Sequence, residues 1–94
     1  MREEVLAILN RSRSELQSMG VRFLALFGSA ARDEATIESD VDLLVDLEPA
    51  TFDRYMDVKI LLEDRLGRRV DLVTRRGLRE AARADVERMA IRVA

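Results

Sequence analysis

Three acids in this 94-residue chain sit where strand propensity disfavours them. Asp is depleted in strands, yet Asp40 and Asp42 open the run Val41–Leu47 (VDLLVDL), and Asp71 lies inside Arg69–Thr74 (RVDLVT). Residues i and i+2 of a strand point to the same side, roughly 6.5–7 Å apart. Asp40 and Asp42 are therefore expected to face one ligand, with Asp71 joining them if the two strands are neighbours. Carboxylates held together on one rigid surface repel unless a divalent cation compensates them. Their hard oxygens suit Mg²⁺ or Mn²⁺. Such a cluster is what two-metal phosphoryl or nucleotidyl transfer requires. An edge strand whose Asp40, Asp42 and Asp46 simply face water fits the Asp-x-Asp spacing as well. The spaced oxygens and central Gly of an EF-hand loop are missing.

The second element is Gly28-Ser29, which breaks the apolar run Val21–Phe27 (VRFLALF). Glycine lets backbone approach a ligand closely. Backbone N–H groups at a helix start, beside a serine hydroxyl, can seat a phosphate. An ordinary strand-to-helix turn with a Ser cap reads the same way. The Lys-Ser/Thr end of a Walker A loop is absent.

Composition narrows the chemistry further. The chain has no histidine and no cysteine. That excludes the Ser-His-Asp triad, the usual zinc sites and disulfides. The net charge of −2 argues against a general nucleic-acid coat protein. It conceals an asymmetry. Five Arg and three Glu give residues 1–32 a charge of +2; eleven acids against Arg54 and Lys59 give residues 33–64 −9; nine Arg against four acids give residues 65–94 +5. An acidic middle between basic ends is a reason to look for a cation site. No apolar run approaches the roughly 18 residues of a membrane span, and the N-terminus lacks a signal-peptide core. A cytoplasmic protein with no membrane contact is the expectation.

These residues need elements to hold them. Residues 2–19 read as a helix with Val5, Leu9, Leu16 and Met19 near one face and Gly20 at its end. Val21–Phe27 reads as a buried strand. Ala30–Ala35 has short-helix composition, and Thr36–Ser39 reads as a loop. Val41–Leu47 is a second strand with Val41, Leu43, Val45 and Leu47 on its apolar face, ended by Pro49. Thr51 or Asp53 can cap the next helix, which Gly67 stops. Arg69–Thr74 is the third strand. Leu78–Val93 reads as a last amphipathic helix. The order α-β-α-β-α-β-α predicts one α/β domain over residues 1–94: a small mixed three-stranded sheet with flanking helices.

Taken together, the two elements are more specific than either alone. Leu26–Leu47 reads LFGSAARDEATIESDVDLLVDL: Gly-Ser, ten residues, then Asp-x-Asp among apolar residues. This resembles the GSx10DxD motif of the DNA polymerase β-like nucleotidyltransferase superfamily. Ala31-Arg32, Ser39 and the DLLV run resemble its small branch, the minimal nucleotidyltransferases (MNT). The resemblance covers nearly the whole chain, although the usual Arg-Gly after Ala31 reads Arg32-Asp33 here. It implies that Gly28 and Ser29 hold the nucleotide phosphates, with Arg32 a further contact. It implies that Asp40 and Asp42 bind the metals. Asp71 would complete the metal site and help deprotonate the acceptor hydroxyl.

The implied reaction transfers AMP from ATP to a hydroxyl and releases pyrophosphate. The aromatics Phe23, Phe27, Phe52 and Tyr55 offer no stacking platform for single-stranded nucleic acid, and none is expected as a partner. The MNT branch resembles MntA-type antitoxins, paired with a HEPN-domain ribonuclease toxin whose tyrosine is adenylylated. The resemblance thus implies a hetero-oligomer with that toxin. Two alternatives remain: a nucleotide-binding antitoxin that masks its toxin without catalysis, and a nucleotidyltransferase acting on a small molecule or an RNA end.

Overall fold

A computed structural model of the chain describes residues 2–31, 39–75 and 90–93, with residue 29 described in its backbone only. Arg32, most of the Thr36–Ser39 loop and residues 76–89 lie outside the described residues. Among the described residues eight elements follow one another: α1 (Arg2–Arg11), α2 (Arg13–Ser18), β1 (Val21–Phe27), α3 (Gly28–Ala31), β2 (Val41–Leu47), α4 (Phe52–Leu66), β3 (Val70–Thr74) and β4 (Ile91–Arg92).

The architecture is α/β, with a mixed sheet of four strands rather than the three expected, in the order β3-β2-β1-β4. β1 runs antiparallel to β2 and to β4, while β2 and β3 are parallel. Parallel neighbours need a long crossover, and α4 supplies it. The unexpected strand is β4. The sequence pattern predicts the end of the last helix there, but Ile91 and Val93 alternate about Arg92, and two β-branched residues favour an extended chain. The free edge of β1 then offers partners: Ala25 pairs with Arg92, Leu26 with Ile91, and the Val93 N–H donates to the Leu24 carbonyl at 2.7 Å. So short a run has no readable period. The open edge decides its structure.

The first helix is also divided. The buried face runs Val5, Leu9, Ser12, Leu16. The Ser12 N–H donates to both the Ile8 and Leu9 carbonyls at 3.1 Å, tightening the last turn of α1 before α2 begins. α4 has the expected ends. The Thr51 Oγ1 accepts from the Arg54 N–H at 3.2 Å, and Gly67 closes the helix at φ 64°.

The core lies between α1, α2, α4 and one face of the sheet. Val41, Leu43, Val45 and Leu47 of β2 reach it together with Leu24 and Leu26, Val70 and Leu72, and Val58 and Leu62 of α4. At the sheet edge, the Tyr55 hydroxyl donates to the Leu72 carbonyl at 2.6 Å, tying α4 to β3. Toward the other edge, the half-buried Phe23 ring carries the Arg75 guanidinium at 4.1 Å and the Arg92 guanidinium at 5.1 Å from its centroid. No helix among the described residues is long and apolar enough to cross a membrane.

Candidate active site

The alternation that buries Val41, Leu43, Val45 and Leu47 turns Asp42, Leu44 and Asp46 to the opposite face. Register then selects their neighbours. Asp42 is paired with Phe27 of β1 on one side and with Asp71 of β3 on the other. Paired residues point the same way, so Asp42 and Asp71 stand side by side on the face away from the core. Asp42 is half-buried and Asp71 exposed.

Gly28 follows Phe27 directly and lies against the Asp42 side chain. Its φ is 70°, a left-handed conformation that L side chains rarely adopt. A Cβ placed there would stand 2.1 Å from the Asp42 Oδ2 and 3.0 Å from its Cγ. The carboxylate of Asp42 thus occupies the space a side chain would fill. Both the turn and the position of Asp42 require glycine at 28.

Asp40 immediately precedes β2. Its Oδ1 lies 3.2 Å from the Arg69 Nε, with the arginine side chain largely exposed and that of Asp40 about half exposed. Of the three acids expected to converge, Asp42 and Asp71 share one face, while Asp40 flanks them just before β2 and is turned to an arginine. Among the described residues no three acids are already gathered as a cation site. Electrostatics gives the reason. Three carboxylates close together need a compensating positive charge, and Arg69 supplies one to Asp40.

Asp46 lies away from the other acids. It is paired with Phe23, four residues and about 13 Å along β2 from Asp42. Ser29 follows Gly28 in the backbone of α3, and its side chain lies outside the described residues, as does Arg32. At the other end of α3, the Arg2 Nη1 donates to the Ala31 carbonyl at 3.3 Å, bringing a second guanidinium to this end of the molecule.

The donor set fits a hard divalent ion. Asp42 and Asp71 present carboxylate oxygens from adjacent, paired strands, and Asp40 immediately precedes one of them. The residues that sequence reasoning missed are Arg2 and Arg69. For Arg69 a signal existed: it precedes Asp71 by two residues and so shares its face.

The family described as the nucleotidyltransferase domain matches residues 7–93. The chain belongs to that family. Its matched span includes β1, Gly28-Ser29, Asp40, Asp42 and Asp71. The chain is similar to the protein adenylyltransferase MntA of Thermococcus cleftensis, with 39% identity over 94 residues, spanning 97% of this chain and 94% of the relative. A solved chain provisionally named a minimal nucleotidyltransferase superposes with a TM-score of 0.86 at 40% identity, covering 96% of this chain and 93% of that one. A solved toxin–antitoxin with AMP-PNP superposes with a TM-score of 0.72 at 19% identity, covering 90% and 72%. That last likeness is one of fold. Together these place the chain in the minimal branch of the family, beside MntA-named relatives.

Proposed function

We propose that this nucleotidyltransferase is an antitoxin-type protein adenylyltransferase of the cytoplasm. In this reading it transfers AMP from ATP to a tyrosine hydroxyl of a partner HEPN-domain ribonuclease toxin. The observation that carries the reading is the Asp42–Asp71 pair standing side by side, with Asp42 against Gly28. Two carboxylates on one rung of the face away from the core do nothing for its packing and suit phosphate chemistry. The MntA-named relative and the toxin–antitoxin fold neighbour support the choice of a protein acceptor.

Each residue then has a task. The Gly28-Ser29 backbone and the Ser29 hydroxyl seat the triphosphate, with Arg32 reaching the same phosphates. Asp40 and Asp42 would hold Mg²⁺ or Mn²⁺, with Asp71 closing the set. When bound, the metal supplies positive charge that offsets the triphosphate and makes the acceptor hydroxyl more acidic. The acceptor oxygen forms a bond to the α-phosphorus as the bond from that phosphorus to the bridging oxygen breaks. Pyrophosphate leaves with the bond's electrons. The Asp71 carboxylate takes the hydroxyl proton.

Incubation with isotopically labelled ATP, Mg²⁺ and the protein encoded beside this one tests the reading by mass spectrometry. The expected result is AMP on a tyrosine of that partner. A stable complex with no AMP transferred would instead make the chain a masking antitoxin. Labelling of an RNA end in place of the partner would contradict the proposal outright.

A further inference from the structure

The parallel register of β2 and β3 sets Val41 beside Val70 and Asp42 beside Asp71. Continued one residue back, it sets Asp40 beside Arg69. The ion pair between them at 3.2 Å shows that the side chains meet there. Asp40, Asp42, Asp71 and Arg69 thus form the four corners of a square, three acidic and one basic. The basic corner is held firmly. The Arg69 carbonyl accepts from the Val41 N–H at 3.0 Å, and the next N–H, that of Val70, donates to the Glu63 Oε2 at 3.0 Å. Only the long side chain is free to move, since that of Arg69 is 81% exposed.

We infer that Arg69 is the resident counter-ion of Asp40 in the metal-free protein and a nucleotide-phosphate contact once a divalent cation binds. This rests on the proposed two-metal site. A guanidinium and a divalent cation cannot both hold the same carboxylate oxygens. Occupation of Asp40 by the cation displaces the Arg69 side chain, whose backbone remains fixed two rungs from Asp42. A planar, permanently charged fork beside a triphosphate site pairs with phosphate oxygens in two-point contacts. The exchange also keeps the acidic square compensated in both states.

Two binding measurements on the full chain test this without relying on turnover. The first is Mn²⁺ affinity without nucleotide. Arg69→Ala removes the competitor, and should tighten Mn²⁺ roughly two- to fivefold, the size of one exposed ion pair. The second is affinity for a non-hydrolysable ATP analogue with Mg²⁺. Arg69→Ala should weaken it about tenfold or more, as expected for a lost hydrogen bond to a charged group. Arg69→Lys should recover part of both effects, because it keeps the charge and loses the fork. A residue that merely braced the start of β3 would lower the melting temperature and leave Mn²⁺ affinity alone. Mn²⁺ binding unchanged or weakened by Arg69→Ala, or analogue binding unchanged, overturns the role of Arg69. No Mn²⁺ binding by the wild-type chain overturns the metal-site reading and this inference with it.

Discussion

The two faces of β2 are built from the same seven residues and do opposite work. The odd positions Val41, Leu43, Val45 and Leu47 are buried, and the first three are fully enclosed against α1 and α4. Of the even positions, Asp42 and Asp46 remain half-exposed, and Asp42 has Asp71 beside it. Apolar area removed from water stabilises the first face, at about 25 cal/mol per Å². On the second face, Asp42 and Asp71 set like charges on neighbouring strands, a pairing that opposes stability. A protein of this size has little stability to spare, roughly 5–15 kcal/mol. On the proposed reading, two acids kept side by side serve chemistry rather than architecture. Substitution of a core-face residue should change folding, as should substitution of Leu44, fully buried on the other face, whereas substitution of Asp42 should change only what the folded protein does.

The hardest break of that division is Leu43→Ala. Leu43 is fully buried in the centre of the sheet. Truncation should cost about 2–5 kcal/mol, read as a lower denaturation midpoint, and nucleotide affinity should fall only as the folded fraction falls. Gly28→Ala comes next, since it joins both sides of the comparison. The left-handed φ costs about 1–2 kcal/mol for a residue with a side chain. The added methyl must also displace the Asp42 carboxylate, now 2.1 Å from where it would stand. Transfer should be lost while most of the melting temperature is kept.

Ser29→Ala sharpens the comparison more gently. Loss of a hydrogen bond to phosphate should weaken ATP by roughly 1.5–3 kcal/mol, whereas loss of a helix cap alone would cost about 1 kcal/mol of stability. Calorimetric ATP affinity set against melting temperature separates the two. The smallest effect is expected for Tyr55→Phe. It removes the hydroxyl that donates to the Leu72 carbonyl, and should cost about 0.5–1.5 kcal/mol of stability with ATP affinity unchanged.

What could be read from the chain, and what could not, follows from the range of the interactions. β2 was legible to the residue, because alternation and Pro49 are local signals. So were the ends of α4, where Thr51 caps and Gly67 stops. The pairing of Asp42 with Asp71 was legible as a condition, that β2 and β3 be neighbours, and the structure meets it. β4 was not legible, since two residues carry no period and the edge of β1 that captures them lies more than sixty residues earlier. The contact of Gly28 with the Asp42 carboxylate spans a loop, so the sequence marked the glycine without its reason. The turn of Asp40 toward Arg69 is a balance of charges that spacing alone cannot display.

The double variant Asp40→Asn with Asp42→Asn tests the central claim most directly, with AMP transfer and melting temperature measured on the same preparation. Asn keeps the shape of each side chain and removes the charge that crowds this face. The account predicts that transfer to the partner disappears while the melting temperature stays at or above that of the wild type. Stability and activity falling together would contradict it, because the acids would then be holding the fold rather than the chemistry.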